Sequence, residues 1–147
     1  MRIAHLLGLL ALLCSDIVVA DDLPTAPGPI VKPLMTEPLQ GYPGKEVLML
    51  SVEYPPGAVE SVHRHDADAF VYVIEGSIVM GVKGSAPVTL NPGQTFHEGP
   101  NDIHTIGRNA SKEKPARFAV FLLKDRDKPA VIPVDDPNAD RQSAAQQ

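Results

Sequence analysis

Two histidines one residue apart, His63 and His65, lie in the stretch GAVESVHRHDADAFVYVIEG of residues 57–76. Side chains of a strand alternate between its faces, so residues two apart project to the same side. A neutral imidazole offers one lone pair, and two on one face can chelate a single divalent metal ion. Two surface histidines in a loop after the PPG of residues 55–57 would look the same, and the spacing does not choose between these readings. Their neighbours bear on the choice. Ala67, Ala69, Val71 and Val73 continue the parity of His63 and His65, a small and apolar set suited to an inward face.

The runs that surround these histidines read as strands. EVLMLSVEY, FVYVIEG, SIVMGVKG, PVTLNPG, QTFHEGP, IHTIGRN and RFAVFLLK are short apolar or alternating runs bounded by Gly, Pro or Asn. About eight such strands at close spacing predict a small sandwich or closed barrel. IEGS and NPG are both expected as tight hairpin turns. No segment carries a sustained helical period. Residues 21–44 hold too many prolines for a helix or central strand and predict an extended arm, with a short edge strand near Ile30–Met35. The barrel is expected over 45–125 and a polar, disordered tail over 126–147.

Residues 1–20 have the form of a signal peptide. Arg2 supplies the positive start, IAHLLGLLALL the apolar stretch, and VVA the small residues before a cut after Ala20. The predicted location is secreted or periplasmic, with no membrane association after cleavage. The cut would also remove Cys14, the only cysteine, leaving neither a cysteine nucleophile nor thiolate metal ligands. Net charge is −5, and the basic residues are scattered, which argues against nucleic acid as a partner. Tryptophan is absent and aromatics are 5 % of the chain, so stacking platforms are few. NAS at Asn109–Ser111 matches a glycosylation sequon.

Gly57, five residues, His63, one residue, His65, and then Gly76 closing YVIEG together resemble the first motif of the cupin superfamily. LNPGQTFHEGPNDIHTIGRN resembles the second, with Pro92–Gly93 at the turn and His104 as its histidine. The resemblance spans residues 45–123. It implies an all-β double-stranded β-helix, or jelly roll, holding a metal inside the barrel through His63, His65 and His104. It also places a glutamate ligand at position 69, where this chain has Ala69. Asp68 stands one place earlier and would reach the metal only through a β-bulge, because one step flips a strand side chain to the other face.

Nitrogen donors suit several ions, so iron, manganese, zinc, copper and nickel are not distinguished. Asp68 and Glu98 are the candidate catalytic acid–base residues, with Asp102 and His97 weighed beside them. Glu98 and Asp102 are expected in a loop, and His97 is expected to be a non-ligand. The resemblance thus implies a metal-dependent oxygenase, decarboxylase or isomerase acting on a small oxygen-rich molecule. A non-catalytic barrel that binds a metal or small ligand is the alternative. A homodimer is expected, because sheet edges and an apolar outer face need cover.

Overall fold

Prolines and glycines leave the chain only short runs, and β-branched and aromatic residues make those runs strands. The computed structural model describes residues 26–135, where there are ten strands and no helix. They are β1 (Ile30–Pro38), β2 (Lys45–Tyr54), β3 (His63–Arg64), β4 (Ala67–Glu75) and β5 (Ile78–Val82), followed by β6 (Val88–Leu90), β7 (Thr95–Glu98), β8 (Ile103–Asn109), β9 (Ala116–Asp125) and β10 (Ile132–Pro133). Two five-stranded antiparallel sheets form, in the orders β1-β2-β9-β4-β7 and β10-β3-β8-β5-β6. This is the all-β double-stranded β-helix expected above. The predicted signal peptide, its Cys14, the start of the arm and residues 136–147 lie outside the described residues.

The core lies between the two sheets. Leu50, Val52 and Tyr54 of β2, Ala67, Ala69, Val71 and Val73 of β4 and Ala116, Phe118, Val120 and Leu122 of β9 form the inner face of one sheet, and Ile78, Met80 and Leu90 of the other sheet belong to the same buried cluster. Each larger side chain contributes roughly 1.5–3 kcal/mol by leaving water. Tyr54 and Phe118 meet edge to face at 4.9 Å. Lys124 shares the inward parity at the end of β9 and is also buried. Its ammonium is tied to Glu46, directly opposite on β2, and to the carbonyls of Asp125 and Lys128.

Three expectations are revised by pairing. Neither IEGS nor NPG is a hairpin, because β6 and β7, like β4 and β5, belong to different sheets, and the IEGS turn carries the chain from one to the other. Gly76 makes that crossing at φ +71°, and a Cβ there would lie 2.7 Å from the Pro115 carbonyl oxygen. The arm holds a nine-residue edge strand, β1, paired with β2 along nearly its whole length. The chain after Asp125 is not all tail: it turns back, and β10 pairs with β3 beside the histidines.

The Asn109 sequon is internal to the fold. Its Nδ2 donates to the carbonyls of Tyr54, Pro55 and Lys114, and its Oδ1 accepts from the Ser111 amide. The residue is 4 % exposed, so the folded chain presents no glycan acceptor there.

Candidate metal centre

β3 and β8 run antiparallel with His63 directly opposite His104. Their ring centroids are 4.9 Å apart, and the same distance separates His63 from His65. All three rings are buried. Each spends one nitrogen on the backbone. His63 Nδ1–H donates to the Ser61 carbonyl at 2.9 Å, and His65 Nδ1–H to the Ala130 carbonyl at 2.5 Å. His104 Nε2–H donates to the Ile106 carbonyl at 2.6 Å. A hydrogen bond on one ring nitrogen sets the tautomer and leaves the other as a lone pair. The lone-pair nitrogens of His63 and His65 therefore face each other, Nε2 to Nε2, at 3.3 Å.

Burial holds the imidazoles of His65 and His104 neutral. It pushes His104 down to about 3, with His63 adding to the effect, and it lowers His65 as well. Neutral rings are the form that binds metal.

Glu98 closes the group. It ends β7 rather than lying in a loop, and its side chain is 2 % exposed. Oε2 is 3.7 Å from His65 Nε2, and Oε1 is 3.6 Å from His104 Nδ1. Oε2 has no hydrogen-bond partner, alone among buried side-chain polar atoms of the described residues. Burial pushes the carboxyl up to about 8, and Glu60 and Asp102 act in the same direction. A buried carboxylate with an open oxygen facing imidazole lone pairs is an arrangement that a cation would complete. The residues thus fit a divalent ion: donor atoms of His63, His65 and Glu98 all lie within 4.8 Å of one another, and His104 Nδ1 adjoins them through Glu98 Oε1.

Glu60 also comes within reach of His63 and His104. Its Oε2 is already engaged, accepting from the Tyr54 hydroxyl. Burial, with Glu60 second, raises Tyr54 well above its ordinary value and keeps it a donor. Gly107 makes this contact possible. A Cβ there would fall 2.8 Å from Glu60 Oε2, 2.9 Å from the Tyr54 hydroxyl and 3.0 Å from His104 Cε1.

A cavity of about 50 Å3 adjoins the group. Leu50, Val52, Met80, Phe118 and Val120 line it, along with the three histidines and both glutamates.

A protein-family model for the cupin domain, Cupin_2, matches residues 50–122. The barrel belongs to the cupin family. Solved structures agree on the fold. The Cupin_2 domain of an XRE family transcriptional regulator from Enterobacter cloacae is 27 % identical, at TM-score 0.55, over 68 % of this chain and 100 % of that one. A double-stranded β-helix protein from Klebsiella pneumoniae gives 0.58 at 17 % identity, over 82 % and 99 %. The DMSP lyase DddQ from Ruegeria pomeroyi gives 0.54 at 20 % identity over 60 % of this chain, which spans only 43 % of that enzyme. No curated protein matches the chain.

The cupin motif expects its glutamate at position 69, and the register shows where a carboxylate stands instead. Ala69 on β4 pairs directly with Glu98 on β7. Directly opposed residues of an antiparallel pair project to the same face, with Cβ atoms about 5 Å apart. The missing carboxylate is thus present one strand away, entering the same space. Glu98 is nameable from the sequence as a candidate acid–base residue, but its strand position, in place of the expected loop, follows from the pairing of β7 with β4. Its inward parity with Phe96 was the available signal.

Asp68 is elsewhere. β4 has no irregularity between Ala67 and Val73, so Asp68 falls on the outer face of the sheet. It accepts from His97 Nε2 there at 3.0 Å, and His97 lies against Phe70. Neither residue joins the cluster. Asp102 caps its own loop by accepting from the Gly99 amide.

Proposed function

We propose that the chain is an exported cupin that binds one divalent transition metal through His63, His65, His104 and Glu98, and that it acts on a small oxygen-rich molecule. The observation that carries this reading is the open, buried Oε2 of Glu98 facing imidazole nitrogens already oriented by backbone carbonyls. Purely structural polar groups at such depth are ordinarily paired, since an unpaired one costs about 1–3 kcal/mol. A bound ion would supply Lewis acidity toward a ligand oxygen, the common element of oxygenation, decarboxylation and isomerisation. The protein's own part is to keep His65 and His104 neutral, to aim all three imidazoles, to exclude water with Leu50, Val52, Phe118 and Val120, and to place Glu60 at the cavity wall.

Export rests on the form of residues 1–20. A homodimer is supported by the half-exposed Phe70, Tyr72 and Ile74 on one outer face and by the exposed edge strand β1. No helix among the described residues is long and apolar enough to cross a membrane.

Elemental mass spectrometry of the purified protein tests the central claim. About one metal per chain is expected, with loss in His63→Ala, His104→Ala and Glu98→Ala. A parent that takes up none of iron, manganese, zinc, copper or nickel defeats the claim. Metal retention with no turnover across oxygen- and acid-dependent assays would leave a non-catalytic binding barrel instead.

A further inference from the structure

The cavity beside the metal ligands is as informative by what it omits as by what it holds. Nine of its residues are apolar, Val31 and Val131 at its outer end among them. Its polar residues are the three histidines, Glu98 and Glu60, and no lysine or arginine lines it. Recognition of a phosphate or carboxylate ordinarily uses such cations, often a bidentate arginine. Two carboxylates already offset the charge of one divalent ion, so an anionic ligand would gain no net attraction there. An uncharged ligand is favoured.

Size narrows the class. One water needs about 10–15 Å3 by this measure, so the cavity of about 50 Å3 takes roughly four non-hydrogen atoms. Val31 and Val131, half exposed, mark where it opens outward. A short apolar tail could continue between them.

Glu60 supplies the polar discrimination. Tyr54 is fully buried and donates to Oε2, fixing the carboxylate at the cavity wall beside His63 and His104. The backbone supports that position: the Glu60 amide donates to the Gly107 carbonyl at 2.7 Å, and the missing side chain of Gly107 leaves the carboxylate its space. A carboxylate held there is an acceptor waiting for a donor. A ligand whose one oxygen sits at the metal ligands can meet it with a hydroxyl on the adjacent carbon.

We propose that this cavity selects an uncharged α-hydroxycarbonyl compound with a short apolar tail, its hydroxyl donating to Glu60 and its carbonyl directed toward His63, His65, His104 and Glu98. Glu60 is then a specificity-determining residue and Tyr54 its positioning residue. The proposal rests on the metal-binding reading above and specifies what that centre takes.

The test uses the protein loaded with cobalt(II), whose visible spectrum reports first on the metal and then on any ligand that reaches it. Hydroxyacetone is titrated against methoxyacetone, in which the hydroxyl is capped, and against lactate and inorganic phosphate. Hydroxyacetone is expected to perturb the spectrum at about tenfold or more lower concentration than the other three. Glu60→Ala should keep the cobalt spectrum and lose the preference for hydroxyacetone over methoxyacetone. Tyr54→Phe, which conserves the ring against Phe118, should weaken that preference with the cobalt spectrum intact. Equal or tighter binding of lactate or phosphate overturns the proposal. So does loss of cobalt in a folded Glu60→Ala protein, which would make Glu60 a metal ligand. A parent that binds no cobalt fails the metal-binding reading itself and takes this one with it, whereas a parent that binds cobalt and ignores hydroxyacetone fails this proposal alone.

Discussion

Glutamine at position 98 would keep the shape of the side chain and remove its charge. Glu98→Gln is expected to weaken metal binding by about tenfold to a hundredfold, read by competition with a chromophoric chelator. Moving the carboxylate back across the strand pair is the sharper measurement. Ala69→Glu alone should crowd the site, whereas Ala69→Glu with Glu98→Ala should recover most of the affinity lost in Glu98→Ala. That recovery is a coupling term, which only residues sharing one space produce. The same carboxyl governs the pH response of the metal-free protein. Its value in the folded chain is raised from an ordinary 4.5 to about 8, so the folded state holds the proton more tightly than the unfolded one. This group's contribution to stability is full below pH 4.5 and is lost progressively as pH rises through about 8. Metal-free protein should therefore lose up to about 5 kcal/mol of stability across that window, measured by urea unfolding at several pH values. Glu98→Gln should flatten the profile.

At the level of elements, two connections set the site, and neither is a strand that carries one of its side chains. The crossing at Gly76 takes the chain between sheets with a positive φ and with the Pro115 carbonyl pressed against the glycine. Gly76→Ala meets backbone that cannot swing aside, and it should cost about 1–3 kcal/mol, seen as a lower Tm with unchanged metal stoichiometry. The return of the chain after β9 supplies the Ala130 carbonyl that orients His65, while β10 pairs with β3 behind it. A chain ending at Lys128 should keep its β-sheet circular dichroism and bind metal about tenfold more weakly.

For the whole molecule, the outer face of the sheet containing β4 and β9 leaves Phe70, Tyr72 and Ile74 about half exposed. Apolar residues grouped on one sheet face are expected to be covered by another surface. With the homodimer proposed above, Phe70→Lys combined with Ile74→Lys should shift sedimentation at micromolar concentration from dimer to monomer. It should leave metal content unchanged, because both residues point away from the barrel interior. An unchanged dimer would place the contact elsewhere, with the exposed strand β1 the next surface to alter.

Local pattern sufficed for most of the strands between residues 45 and 125, for the inward parity of His63, His65, Ala69 and Val71, and for the likeness of two histidine motifs to cupins. Each of these depends on residues close in the chain, where alternation and turn-forming residues act directly. Whether IEGS is a hairpin or a crossing between sheets was not local, because that depends on which strand each flank pairs with. The placement of Asp68 outside the barrel followed from an unbroken register with β9, and only pairing could exclude the bulge that would have turned it inward. The same holds for Glu98. Position 69 and position 98 are far apart in sequence, and nothing in either segment says that they face each other. The antiparallel register of β4 and β7 puts them side by side, and burial by the opposite sheet leaves that carboxylate open toward the histidines.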